Sequence, residues 1–245
     1  MRNLIVSDIL RILKKKTYWI VLGIVLLLSV VSVLQSRTSV FTNIISQRTN
    51  IQNTGSVILG ICIFLSVYAD EFSSRSMQCI IGRGLSRSKL QIAKFLDCVI
   101  LTINSYVLWA IWVMLLNLIF RTNMGSFETT VLYTTFFTSA LQAISYATIS
   151  AIFLYKSSNV AAATVIEILF YIVFYTFIHM ISSSAPLAPL IILERNSLTG
   201  KLNSIYTSII LGQSSIGLIA NVIIVFVGGA LIISILIFRK KELEF

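Results

Sequence analysis

A carboxylate in the middle of an apolar run is the first residue of this chain that asks for a chemical explanation. Glu167 stands in the stretch VIEILFY. An acid in hydrocarbon costs at least a few kcal/mol, and such residues face a partner, a cavity or a substrate path. Two readings stand. Glu167 is a substrate-facing or gating residue, or it is a carboxyl group hydrogen-bonded at a helix interface. The single histidine, His179, follows twelve residues later. That is about 18 Å along a straight helix and about 120° around it, so the two cannot pair directly. His179 reads as an interfacial histidine at the outer end of a span. One histidine cannot make a multi-His metal site. Cys62, Cys79 and Cys98 form no CxxC pair and read as reduced, packed thiols. There is no G-x-x-x-x-G-K-[ST], HExxH, GxSxG or EF-hand loop. Gly82-Arg83-Gly84 is too short to cradle a phosphate. The sequence points to no catalytic residue, no metal and no cofactor held by this chain.

The elements that carry these residues are set by composition. The chain has 245 residues, of which 57% are hydrophobic and 11% charged; its mean hydropathy is +0.92. A soluble domain is about 45–50% apolar and about 25% charged. This chain has too little charge to clothe a water-facing surface. The composition excludes a soluble enzyme, a nucleic-acid binder and a disordered region. It indicates an all-α, polytopic membrane protein with an apolar outer surface. Net charge is +10. In this context basic residues mark cytoplasmic loops facing anionic headgroups. A secretory signal peptide is not expected, because no A-x-A site follows the first apolar run.

A crossing helix needs about 20 mostly apolar residues. Six segments qualify in the sequence, at about 18–34, 54–69, 98–120, 130–154, 159–181 and 215–238. With the N-terminus placed in the cytoplasm, 14 of the 19 Lys and Arg fall on inside segments. Both termini are therefore expected to be cytoplasmic. A single transmembrane domain is expected over 1–245. Residues 1–17 put Leu4, Ile5, Ile9, Ile12 and Leu13 on one face, with Arg2, Ser7, Asp8, Arg11 and Lys14 largely on the other. That predicts an interfacial amphipathic helix anchored by Lys14–Lys16. Lys156–Asn159 predicts a tight inside turn. Ser139, Ala143, Ala147 and Ala151 form a small-residue stripe that favours close helix packing within the chain, with a dimer interface as the alternative. Asn104, Asn117, Gln142 and Asn221 are expected to hydrogen-bond between helices. Trp19, Trp109 and Trp112 are expected in belts and packing.

The segment between the second and third spans, about 70–97, is the most informative one. It predicts a short helix over about Glu71–Ile81, ended by Gly82 or Gly84. A second helix follows, capped by Ser86 or Ser88 and containing Leu90, Ile92, Phe95 and Leu96. On these residues the chain resembles the permeases of ABC-2 type transporters. The family pattern has an acid, a Gly-Thr-like pair, a Gly-[Ile/Leu]-Ser-Arg turn and a Lys opening the next span. The corresponding residues are Glu71, Arg75-Ser76, Gly84-Leu85-Ser86-Arg87 and Lys94. Arg75 stands where the family has glycine.

The resemblance covers essentially the whole chain and implies a mechanism. Asp70, Glu71, Arg75, Ser76, Gly84, Leu85, Ser86, Arg87 and Lys94 would belong to a cytoplasmic coupling loop. That loop would dock on a separate P-loop ATPase, and the ATPase, not this chain, would bind ATP and Mg. Two permeases, identical or homologous, and two ATPases would form the working unit. The segment 182–214 would be an extracellular, re-entrant gate. The small permeases of bacterial peptide-antibiotic export and immunity systems, as for lantibiotics or bacitracin, are similar in length and loop style. They imply an amphipathic peptide or lipid-like cargo, a bacterial cytoplasmic-membrane location and no enzyme activity in this subunit. A secondary transporter or an intramembrane enzyme using Glu167 is the alternative.

Overall fold

A computed structural model describes residues 2–35, 47–48, 50–73, 81–82, 84–122, 124–174, 177, 180 and 188–240. The regular elements are helices, and no strand occurs among the described residues. Helix α1 is Arg2–Leu13 and α2 is Lys16–Gln35. A π-helical turn, Asn50–Gly55, leads into α3, Ser56–Ser73. The two longest helices are α4, Arg87–Ile119, and α5, Ser126–Ser157. Helix α6, Val160–Ile168, continues as a π-helical stretch over Leu169–Phe174. Two short helices follow, α7 (Ala188–Asn196) and α8 (Leu198–Ile210). The last span is α9 (Ile216–Asn221), a π-helical stretch (Val222–Gly228) and α10 (Gly229–Lys240).

Five helical segments are long and apolar enough to cross a membrane: Lys16–Leu34, Asn50–Ala69, Arg87–Ile119, Ser126–Ser157 and Ile216–Lys240. Helices satisfy every backbone group internally, which is what a hydrocarbon medium demands. The span expected at about 159–181 is described as continuous helix only over Val160–Phe174, and this apolar helix is shorter than the others. The outward face of α2 carries Ile20, Ile24, Leu27, Val31 and Leu34, all exposed. In water such a stripe would be untenable; in lipid it is the ordinary outer surface.

Helix α5 is the central post, touching α3, α4, α6, α8 and α10. Its small-residue stripe explains this. Ser139, Ala143 and Ala151 are 1% exposed and Ala147 is 6% exposed, so the stripe is used inside the chain. Cross-helix polar ties set the register of the neighbours. Tyr18 Oη pairs with Ser105 Oγ at 2.7 Å. Trp109 Nε1 donates to Ser29 Oγ at 2.7 Å. Gln47 and Asn117 exchange amide hydrogen bonds at 3.0 and 3.1 Å. Asn104 and Asn221 depart from the interhelical expectation: both lie exposed on the outside. The turn after α5 is as tight as its sequence suggests. Ser158 takes φ 57°, and Asn159 Oδ1 caps α6 by accepting from Ala162 N at 3.2 Å.

Two sequence expectations are corrected here. The predicted second loop helix is not separate, because α4 runs without a break from Arg87 into the span. At 1.5 Å per residue α4 is about 50 Å long, well beyond a core of about 30 Å. Its polar first turns therefore lengthen the span instead of forming a turn before it. Asp8 also does not lie on a solvent face. It shares its side of α1 with Leu4 and Ile12 at i±4 spacing, and Ile12 is fully buried. Val6 and Leu10 point outward instead, 49% and 53% exposed.

Candidate functional site

The residues of the expected coupling segment divide into two sets. Asp70 and Glu71 fall in the last turn of α3. Arg75 and Ser76, with most of the short helix expected at 71–81, lie outside the described residues, as does His179. The Gly-Leu-Ser-Arg turn is described. Gly84 N donates to Ile81 O at 2.9 Å, and Gly84 takes φ 91°. That backbone region is open to glycine and strained for a residue with Cβ. Leu85 packs against the core at this end of the bundle. Ser86 occupies the N-cap position of α4 with extended backbone, without a side-chain capping bond.

From that turn, the base of α4 is tied to both ends of the chain. Arg87 Nη1 donates to Phe238 O at 3.3 Å and Arg239 O at 3.2 Å. A guanidinium at the carbonyl end of a helix satisfies acceptors that have no partner in the helix itself. In return Arg239 Nε donates to Ser88 Oγ at 2.7 Å. One turn further, buried Gln91 hydrogen-bonds Ser234 Oγ through Nε2. Lys94 comes next and has no exposed side-chain surface. Its Nζ lies 2.6 Å from Asp8 Oδ2 and 3.8 Å from Asp97 Oδ2. Arg11 adds a second contact to Asp8 at 3.7 Å. Lys15 Nζ reaches across to Ser66 O on α3 at 3.2 Å. Lys94 is thus an internal clamp and not an exposed docking contact.

The sequence reading missed Asp8 as the partner of Lys94. One signal was available: Asp8 is the only acid before Asp70. A solitary acid on a basic helix asks for a specific cation.

A second group surrounds Glu167. The carboxylate is 0% exposed, and neither oxygen has a hydrogen-bond partner among the described residues. Cys98 of α4 and Tyr171, one turn along, stand within electrostatic reach. Above Glu167 is an aromatic layer. Tyr171 meets Tyr146 edge-on at 4.4 Å, and Phe170 stacks on Tyr146 at 6.2 Å. Glu167 and His179 are not shown together.

The tip of the α7–α8 hairpin rests on this layer. Only Ser197 separates the two helices. Ser197 Oγ donates to Glu194 O at 2.6 Å and accepts from Gly200 N at 3.1 Å. A Cβ on Gly200 would lie 2.1 Å from Glu194 O, so the tight return requires glycine. Next to it Thr199 Oγ1 pairs with Tyr146 Oη at 3.0 Å. Tyr146 is about 30 Å from the Ser126 end of α5 and about 16 Å from the Ser157 end. The tip therefore sits deep along the bundle. It closes a cavity of about 290 Å³ with Ile149, Phe170, Leu193 and Phe226 among its walls. Further out, the Arg48 guanidinium stands 3.9 Å from the Tyr206 ring centroid and ties α8 to the start of the second span.

Among the described residues no three His, Cys, Asp or Glu side chains gather as a metal set. No protein-family model and no curated protein matches the chain.

Proposed function

We propose that this chain is the membrane-spanning subunit of an ATP-driven exporter. In this reading separate P-loop ATPase subunits dock on the segment between α3 and α4, and the chain pairs with a second permease, identical or homologous. Six crossings with both termini cytoplasmic accord with the 14 basic residues that fall on inside segments. The membrane is the bacterial cytoplasmic membrane. The cargo is an amphipathic peptide or lipid-like antimicrobial compound, which suits an interior of aromatic and aliphatic side chains. The α7–α8 hairpin enters from the outer side and closes the path over Tyr146.

One observation carries the reading. The Gly84–Arg87 turn opens a helix whose base is bonded to α1 through Lys94 and Asp8 and to α10 through Arg87, Ser88 and Gln91. A push on this turn would move α1, the third span and the last span together, as a motor-driven lever needs.

Co-purification from native membranes tests it. A P-loop ATPase should accompany the chain, and its ATP turnover should depend on the chain. Glu71→Lys should abolish the stimulated part. An unchanged turnover with Glu71→Lys would remove the docking assignment, and absence of any ATPase would remove the class.

The unpartnered Glu167 favours a second reading, a proton-coupled carrier or an intramembrane enzyme. Either predicts activity from the purified chain alone, without nucleotide, that is lost in Glu167→Gln.

A further inference from the structure

Where α4 gives way to α5 the surface opens into a cleft of about 610 Å³, with Met114, Leu118, Arg121, Met124 and Tyr133 among its walls. Most polar groups in it are spoken for. Asn117 is bonded to Gln47, Thr122 Oγ1 donates to Asn117 Oδ1, and Thr129 Oγ1 donates to Ser126 O. Arg121 is the exception. It follows the last turn of α4 and is exposed. Its guanidinium makes no hydrogen bond and no ion pair among the described residues. Nor does the sequence supply an acid nearby: none occurs between Asp97 and Glu128, or between Asp8 and Asp70. Glu128 lies in the first turn of α5, where a negative charge suits the free N–H groups of the helix start, and it is not a wall of the cleft.

The cleft opens at the mouth between two crossings, directly after the apolar run that ends at Phe120. Exposed Tyr133 fits that level, since tyrosine is enriched where hydrocarbon meets headgroups. From Leu118 inward, Leu115, Ile111 and Val107 form an exposed row on one side of α4. The row is about 16 Å long, and one leaflet of hydrocarbon is about 15 Å, half of a core of about 30 Å. A free guanidinium therefore stands at the head of an apolar track one acyl chain long.

We propose that this cleft is a binding site for a membrane phospholipid, with the phosphate on the Arg121 guanidinium, the glycerol between Met124 and Tyr133, and one acyl chain along Leu118, Leu115, Ile111 and Val107. The planar fork of arginine matches the geometry of a phosphate. The occupant is a lipid and not a soluble phosphate, because the track below the guanidinium is apolar for a full leaflet. The proposal needs only that α4 and α5 cross a bilayer; it does not depend on the transport reading.

The test reconstitutes the full chain in vesicles of equal phosphatidylglycerol and galactosyl diacylglycerol, which has no phosphate, and reads the retained lipid by native mass spectrometry. Phosphatidylglycerol should be retained about fivefold over the galactolipid, the factor expected for one basic residue against an anionic headgroup. Arg121→Gln should bring the ratio close to one, and Lys201→Gln on α8 should leave it unchanged. A photoreactive residue substituted for Leu118 should capture phosphatidylglycerol, which decides the matter should Arg121→Gln fail to fold. Equal retention of both lipids, or an unchanged ratio in Arg121→Gln, would overturn the proposal. So would an equal fall in Lys201→Gln, which would mean surface charge in general, or capture of a second copy of the chain at position 118.

Discussion

Lys94 and Glu167 have no exposed surface, and the fold treats them in opposite ways. Lys94 meets Asp8 at 2.6 Å and Asp97 at 3.8 Å. Glu167 has no hydrogen-bond partner for either oxygen among the described residues. The first is charge used for construction. A desolvated ammonium is tolerable when carboxylates surround it, and the arrangement then fixes how α1 sits on α4. The second is an acid held where construction does not need it, beside an aromatic layer and a cavity. A buried ionisable group with a partner identifies a joint, and one without a partner identifies a place where chemistry or cargo is to be sought.

The comparison can be broken most forcefully at the joint. Lys94→Met takes the nearest cation from part-buried Asp8 and from buried Asp97 and should destabilise the chain by about 3–5 kcal/mol. The thermal midpoint in detergent measures this. The double change Asp8→Leu with Lys94→Met should recover the share of the loss that Asp8 carries, since an apolar pair replaces that ion pair at little cost, while the share carried by buried Asp97 stays lost. No recovery would mean that Lys94 acts through something other than Asp8.

Asp8→Asn keeps one hydrogen bond to Lys94 and should cost less, about 1–3 kcal/mol. Its signature is local: amide hydrogen exchange should speed up in Arg2–Leu13 while α5 stays protected.

Glu167→Leu sharpens the other side of the contrast. Removing an unsatisfied buried acid should raise stability by about 1–3 kcal/mol, and a functional role requires activity to fall in the same variant. Loss of both together would make Glu167 a structural residue. The smallest effect is expected at Arg87→Gln, about 1 kcal/mol. Exchange should quicken in the last turn of α10 and remain unchanged in α1.

Much of the architecture was legible from local pattern. Apolar length alone located five of the six expected spans as helices long enough to cross, because lipid leaves the backbone no alternative to a helix. The periodicity of residues 1–13 announced α1, and the lysines after it coincide with the break before α2. Lys156–Asn159 read as a tight turn, and the structure adds that Asn159 caps the helix after it. The small stripe on α5 read as packing because only small side chains let helix backbones approach. The helix start after Ser86 was read where it lies, but its unbroken run into the span expected from about 98 was missed. Apolar content marks where a helix enters lipid and is blind to a polar helix extending beyond it.

What the sequence determined without help is what depends on neighbours a few positions apart: which stretches are helical, and which of them are apolar enough to cross a membrane. Tertiary structure alone decided which distant groups meet. Lys94 finds Asp8 across 86 positions, and Arg87 finds the end of α10 across 151. Spacing reports how a side chain projects from its own helix. Which partner stands opposite is set by how the helices pack, and so is Glu167's lack of one.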